Sequence, residues 1–583
     1  MAEKAEKTTK KTTTKKEVVK VESTEKTTKS VTTQAKFWDL PYTPNKKYEK
    51  KTAYFCMEFA IDQALKIYSG GLGYLAGSHL KSAYELKQNF IAVGMLWKYG
   101  YYDQMRNKDL SMRAEFIEKK YSFLEDTGIV VSIKIAGNDS VFVKAYKVKS
   151  ETFDTVPLYL LTTDIEENDY LSRTITNRLY DDNIATRVAQ SIVLGVGGGK
   201  VVEALGGADM YHINEGHALP LAYYLLNEKY NNDIKEVKKH FVFTTHTPEK
   251  AGNEEHDAFY LNEMGFFSKD LSRQEILDET DEKGILNYTV AAMRMAKTAN
   301  GVSKLHAEVS KDMWKSYKGI PTIIPITNAQ NFEYWHDKEL YAASAKNDLK
   351  AIASRKKELK QLLFTEIADQ TGKIFKEDVI TIIWVRRFAS YKRADLLLND
   401  IERFKALVKN QEKPVQIVWA GKPYPFDQGA VETFNYLVHY TKEIENCAVL
   451  TGYELALSKL LKGGADIWLN TPRRPREASG TSGMSGAMNG AVSLSIFDGW
   501  ICEFAKHGQN AFIIEPVDAN LPTKEQDRID CDNMYEIIEK EVLPLYYDKP
   551  EKWLQIVKNS IDDVTPAFES SRMADEYYQN LYK

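Results

Sequence analysis

Short apolar runs of strand length alternate with longer amphipathic stretches along the 547 residues that follow Lys36. That alternation limits the fold more than any single motif does. Buried strands joined by helices close into open α/β sheets. In the first half the runs fall at residues 52–57, 91–96, 141–148, 156–162, 210–213 and 241–245. In the second they fall at 321–325, 379–385, 415–420, 448–450 and 466–469. Helices are expected at 73–86, 183–194, 219–227, 287–299, 340–371, 395–409 and 429–445. A break at 326–335, after an apolar run and before a long charged helix, divides the chain into two halves, each large enough for its own core. The expected organisation is a tail at 1–36, one Rossmann-like lobe at 37–328, a second at 329–550, and a helical segment at 551–583 packing back on the first lobe. Two open sheets facing one another form a crevice at the carboxyl ends of their strands, where such sheets bind ligands.

Charge separates the tail from the rest. With ten lysines and five glutamates the first 36 residues carry +5, against −4 for the whole chain, which leaves about −9 on the remainder. The tail has no aromatic residue and too little apolar area to offset chain ordering, so disorder is expected there. An acidic body argues against nucleic acid as a partner. No apolar run is long enough to span a bilayer, and no apolar leader opens the chain, so a cytoplasmic location is expected. Cys56, Cys447, Cys502 and Cys531 lie far apart with no C-x-x-C pair. This fits a reducing compartment and excludes a disulfide scaffold or a zinc site built on paired thiolates. Glu254, Glu255 and His256 read as solvated loop residues, and no metal is expected.

Three clusters carry chemistry. Ser69-Gly70-Gly71-Leu72-Gly73 precedes a helix, where bare glycine backbone and the helix amino end suit a phosphate; the alternative is glycines that only allow a tight strand-to-helix turn. Trp384-Val385-Arg386-Arg387-Phe388-Ala389-Ser390-Tyr391-Lys392-Arg393 puts four cations at the end of a buried strand. Desolvating that much like charge is costly unless an anion neutralises it. The alternative is a solvated basic helix start. Finally, Asn470 to Gly490 follows another strand. There Glu477 stands where a carboxylate accepts bonds from sugar hydroxyls, and the small residues Ser479 to Gly483 open a helix toward the crevice. His217 and His246 each end a strand, a position where a lone histidine is usually structural.

Taken together these segments resemble the α-glucan (glycogen, starch or maltodextrin) phosphorylases, especially the shorter bacterial and archaeal type. The similarity runs from about Ala53 to about Trp500. It rests on Tyr54 to Phe59, Ser69 to Gly73, His212 to His217, Thr244 to Pro248, Asn300 to Val302, Thr327-Asn328, Arg387 with Tyr391-Lys392-Arg393, and Glu477 to Met484. The resemblance implies a two-lobed glycosyltransferase architecture of the GT-B type with the site in the cleft. It also implies phosphorolysis of α-1,4-glucan to glucose 1-phosphate with retention, and a homodimer. It assigns Arg387 and Lys392 to the substrate phosphate and Gly70, Gly71 and Leu72 to the loop near the phosphates. Thr481 and Ser482 receive the cofactor phosphate, while Glu477, Asn328, Ser479 and Gly480 contact sugar hydroxyls. His246 lines the glucose pocket.

One departure from the family pattern is severe. The family's pyridoxal 5′-phosphate is tethered as a Schiff base by a lysine directly after the methionine, and here that position is Ser485, which has no amine. Covalent attachment at Ser485 is impossible, so the expectation is noncovalent binding of the cofactor or none. In addition, Arg386 stands where many members have lysine, and residues 329–334 replace a glycine-containing segment. Two other functions remain open: a glucosyltransferase using a nucleotide sugar, and a catalytically silent glucan-binding homologue.

Overall fold

The computed structural model describes Trp38 and residues 40–583; the tail expected to be disordered lies outside the described residues. Fifteen strands build the two large sheets, one of nine strands and one of six. In the first sheet they are β1 (Thr52–Phe55), β2 (Phe90–Met95), β3 (Glu125–Ile135), β4 (Asn138–Val148) and β5 (Leu158–Thr162). It continues with β6 (Met210–Asn214), β7 (Phe241–Thr244), β8 (Ala299–Gly301) and β9 (Ile323–Pro325). The spatial order is β9-β8-β7-β6-β1-β2-β5-β4-β3. Pairing is parallel from β9 to β5 and antiparallel across β5-β4-β3.

The second sheet comprises β10 (Ile380–Val385), β11 (Val415–Ala420), β12 (Cys447–Leu450), β13 (Ile467–Asn470), β14 (Val492–Ile496) and β15 (Ala511–Ile514). Its order is β12-β11-β10-β13-β14-β15, parallel throughout. This is the doubly wound order, which reverses between its first and fourth strands. β10 (Ile-Thr-Ile-Ile-Trp-Val) is buried along its whole length, as a strand covered by helices on both faces must be. The fold class is therefore α/β, as expected.

Two local readings need correction. The helix expected over 340–371 is two: α2 (Lys338–Ala345) and α3 (Leu349–Thr371). Asn347 takes a left-handed conformation between them at φ 53°, which asparagine tolerates. Asp348 then caps α3 by accepting from the Ala351 amide. The helix expected over 287–299 ends at Met295, and Ala299–Gly301 becomes β8. This Ala-Asn-Gly strand is too short and too small to show as an apolar run. The sequence likewise showed β4 but not β3, because β3 is partly exposed along most of its length and lacks a clean apolar stripe.

The two sheets are joined by buried charge. Lys422, just after β11, donates to Tyr102 O and Glu454, both at 3.0 Å, and Glu454 also accepts from Lys66 and Gln63 at 2.8 Å. Burial opposes ionisation of Glu454, but Lys422 and Lys66 outweigh it and hold the carboxyl at about 2. The chain's last helices return to the first sheet. Ser570 meets Ser82 at 2.6 Å, Gln88 donates to Ala574 O at 3.0 Å, and the Tyr582 hydroxyl pairs with His212 Nδ1 at 2.7 Å. Among the described residues no helix is long and apolar enough to cross a membrane.

Gly421 ends β11 with φ 142°, and a Cβ there would lie 1.9 Å from Arg386 O. Only glycine allows this approach between the ends of β10 and β11. Gly421→Ala is expected to cost at least about 2 kcal/mol, seen as a lower midpoint in denaturant unfolding.

Candidate active site

The site forms where the second sheet reverses its strand order. The loop after β10 carries Arg386, Arg387, Lys392 and Arg393; the loop after β13 carries Glu477; and Asp498 follows β14. The structure divides the four cations among distinct partners. Arg386 and Lys392 converge on Glu477 Oε2 at 2.8 and 3.0 Å, with all three side chains buried. Arg393 turns away to Asp527 at 2.9 Å and Asp530 at 2.7 Å, and also donates to Thr471 O and Pro472 O. It is a brace between the β10 and β13 loops. Arg387 is the exposed member. Among the described residues no carboxylate pairs with it, and its neighbours are Tyr391, Tyr101 and Tyr180.

One carboxylate between two cations leaves the cluster positive even before Arg387 is counted. Burial opposes ionisation of Glu477, but Arg386 and Lys392 outweigh it and hold its carboxyl at about 2. Its amide donates to Asp498 Oδ2 at 2.9 Å, and Asp498 Oδ1 accepts from Gly499 N at 2.9 Å. Burial first, and repulsion by Glu477 second, push the fully buried Asp498 carboxyl up to about 7. The sequence reading missed Asp498. Its only signal is an acid directly after a buried strand.

The helix α4 (Leu455–Gly464) packs beside α5 (Thr481–Ala487), the helix that the small residues were expected to open. Gly480 caps α5 at φ 91°, where a Cβ would meet Trp500 at 3.3 Å. Thr481 and Ser482 form its first turn, and Ser479 lies just before with a buried hydroxyl that has no hydrogen-bond partner. Ser485 is fully buried, and its hydroxyl donates back to Ser482 O at 3.3 Å and Thr481 O at 3.4 Å. It faces its own helix.

The first sheet contributes loops tied down by carboxylates. Glu58 follows β1 and accepts from the amides of Ser69 at 2.6 Å and Gly70 at 3.0 Å, while Tyr180 donates to its other oxygen at 2.8 Å. This fixes the Gly70-Gly71-Leu72 loop at the start of α1 (Gly71–Glu85), and Tyr180 in turn lies within electrostatic reach of Arg387. A Cβ on Gly70 or Gly71 would meet nothing within 4 Å, so the loop's backbone lies open. Glu58 belongs to the Tyr54–Phe59 segment, but its loop-binding task was not legible there. After β6, Glu215 sits at φ 73° and accepts from Gly216 N, His246 N and Thr247. His246 Nε2 meets Asn214 Oδ1 at 2.6 Å, and burial lowers the imidazole to about 3, so the ring is neutral near pH 7. His217 Nδ1 is buried without a partner. Asn328 N donates to Val302 O at 2.9 Å, and its side-chain oxygen is buried and unpartnered. Ser303 ties that corner to the Glu477 loop by donating to Ala478 O at 2.7 Å.

The structure thus gathers Glu477, Lys392 and Arg386 by direct contact. Glu58 holds Gly70 and Tyr180 together, with Tyr180 in electrostatic reach of Arg387, and Asn328 joins through Ser303. His246 belongs to the loop after β7, in which Glu249 pairs with Arg476 of the Glu477 loop at 3.3 Å. Glu254 pairs with Arg187 and His256, both at 2.9 Å.

An α/β protein with converging cations at a strand-order reversal is a defined class of ligand-binding protein. Comparison with known proteins narrows it. The family model for carbohydrate phosphorylase matches residues 337–536. Maltodextrin phosphorylase of Thermococcus litoralis is 34% identical over 598 aligned residues, covering 92% of this chain and 71% of the relative. Glycogen phosphorylase of Aquifex aeolicus is 31% identical, covering 92% and 86%. An uncharacterized protein of Methanocaldococcus jannaschii is 46% identical, covering 92% and 100%. The chain belongs to the carbohydrate phosphorylase family.

Two pH effects of opposite sign follow. Glu477 is depressed, so its contribution to stability is present above the unfolded glutamate value of about 4.3 and is lost as pH falls through about 2. Asp498 is raised, so its contribution is present below about 3.9 and is lost as pH rises through about 7. Between about pH 4.3 and 7 wild-type stability is expected to decline with rising pH, and the decline to flatten in Asp498→Asn. Glu477→Gln leaves two buried cations uncompensated and is expected to cost about 3–5 kcal/mol. Added phosphate should restore part of this, more than it stabilises wild type, in denaturant titrations run with and without it.

Proposed function

We propose that the protein is an α-glucan phosphorylase-like glycosyltransferase: phosphate cleaves the terminal α-1,4 bond of a glucan and releases glucose 1-phosphate with retention of configuration. The sheet of residues 37–328 and that of 329–550 then act as two lobes around the cleft, with 551–583 as a brace on the first. One observation carries the reading. Arg387 stands exposed and without a carboxylate partner beside a buried cluster whose two cations share one carboxylate. Such an arrangement suits a phosphate that arrives as substrate.

In the reaction the bond from the sugar C1 to the glycosidic oxygen breaks, a phosphate oxygen bonds to C1 on the same face, and the phosphate's proton passes to the departing glucan oxygen. Arg387 and Lys392 hold the phosphate beside the positive charge that develops on the sugar ring. Glu477 stays ionised and retains lone pairs for sugar hydroxyls beyond those given to its cations. Asn328 Oδ1 and Ser479 Oγ, both buried without partners, offer further contacts. His246, neutral, donates or accepts without adding charge.

Members of this family use pyridoxal 5′-phosphate, and the residues present fit its phosphate. Arg386 Nη1 is buried without a partner, and Thr481 and Ser482 open α5 nearby. Position 485 does not fit its aldehyde, because the Ser485 hydroxyl is bonded within its own helix and offers no amine. When bound, the cofactor supplies a second phosphate group close to the reacting one.

The test is release of glucose 1-phosphate from maltodextrin and phosphate, run beside glucose transfer from UDP- or ADP-glucose. Phosphate-dependent release is expected, with none from the nucleotide sugars. Arg387→Ala should cut kcat/KM for phosphate by about tenfold or more, the scale of one charged hydrogen bond of roughly 1.5–3 kcal/mol. Wild-type turnover with nucleotide sugar alone, or an Arg387→Ala enzyme with unchanged phosphate kinetics, would reject the reading.

A further inference from the structure

A buried ammonium normally finds acceptors. Lys356 donates to three backbone carbonyls at 2.6, 2.8 and 3.1 Å, and Lys360 meets Asp466 at 2.6 Å. Lys462, on α4, does not. It is 1% exposed, and it is the one lysine among the described residues whose buried Nζ has no hydrogen-bond partner. Instead the nitrogen lies over aromatic faces, 3.2 Å from the ring centre of Trp335 and 5.4 Å from that of Tyr74. Those rings are themselves stacked 5.8 Å apart, and Tyr453 also stacks with Tyr74 at 6.2 Å.

Burial, helped by the charge of Lys459, holds this amine well below the ordinary lysine range. Attraction to an indole face is smaller than the cost of stripping water from an unpaired ammonium, so the enclosure favours the neutral amine. A neutral, desolvated lysine is a nucleophile toward carbonyl carbon.

Its surroundings are those of Ser485. α4 packs against α5; Tyr74, Trp335, Met484, Ala487 and Met488 share one apolar cluster; and Asn489 donates to both Trp335 O and Ser485 O at 2.8 Å. The charge of Arg386 reaches Tyr453, a member of the aromatic stack.

We propose that Lys462 supplies the amine that position 485 lacks: carried by α4 over rings that cluster with α5, it captures the aldehyde of a phosphorylated aromatic aldehyde of the pyridoxal 5′-phosphate type. The choice of aldehyde rests on the functional reading above; the reactivity of Lys462 does not. In the step, the amine nitrogen bonds to the aldehyde carbon, and the carbonyl oxygen leaves as water with the two amine hydrogens. A C=N bond replaces C=O, and nothing is oxidised or reduced.

The full-length protein, incubated with pyridoxal 5′-phosphate, reduced with borohydride and digested, tests this by peptide mass mapping. Stoichiometric pyridoxyl label on the peptide containing Lys462 is expected, with an imine absorbance band before reduction. Lys462→Met, an apolar replacement suited to an aromatic enclosure, should lose both label and band while keeping the wild-type unfolding midpoint. Label confined to exposed lysines, or a Lys462→Met variant labelled like wild type, overturns the proposal. The mapping needs no turnover, so its outcome is separate from the phosphorolysis assay. Label at Lys462 without glucose 1-phosphate release sinks only the functional reading, and release without label at Lys462 sinks only this one.

Discussion

The structure around the site depends on one carboxylate shared by two cations. Glu477 is the counter-charge that lets Arg386 and Lys392 be buried together in the loop after β10. Without it that loop would hold two uncompensated buried cations at the point where the sheet reverses. Because a buried pair recovers little more than its own desolvation, its benefit is geometric. It fixes two loops against each other and leaves a positive remainder facing the crevice. Asp498 adds a third loop by accepting the Glu477 amide, and Arg393 pins the rear of the same junction to Asp527 and Asp530.

The first sheet solves a related problem with the same chemical device. Its loops expose backbone amides at the ends of β1 and β6, and these would be unsatisfied in a partly dry crevice. Glu58 and Glu215 accept them. Glu215 does so from a left-handed backbone conformation that a non-glycine residue adopts only when its surroundings hold it there. Both halves of the site are therefore shaped by acids that contact backbone or cations. The groups left for ligands are Arg387, the open glycine backbone, and the unpartnered oxygens of Asn328 and Ser479.

Much of this was legible in the chain, and the reason differs from one feature to another. Buried strands such as β10 and β11 announce themselves because residues covered on both faces are apolar throughout. β8 and β3 escaped because one is too small and the other too exposed to carry that signature. The cation cluster and Glu477 were visible as charge where charge is costly. Their pairing was not, since nothing in one dimension says that Arg386 rather than Arg387 meets Glu477, or that Arg393 is a brace. Glu58 and Asp498 were invisible as site residues, and Lys462 as an unpaired amine, for one shared reason. Each is an ordinary residue type whose meaning comes from what surrounds it in space.

Position 485 shows why a missing motif residue and a missing function are different things. The phosphate-directed groups lie on the loops after β10 and β13 and at the start of α5, and they form without any amine on α5, because Glu477 and Asp498 hold them. An amine, by contrast, needs only a dry enclosure and an approach to the same space, and neighbouring helices can provide either. α4 lies against α5, and the aromatic stack of Tyr74, Trp335 and Tyr453 supplies the enclosure. A serine on one helix and an unpaired lysine on the next are thus compatible with a single site whose charge-holding and carbonyl-binding parts are built by different segments. The first part is fixed by electrostatics at the strand ends, and the second by desolvation between helices.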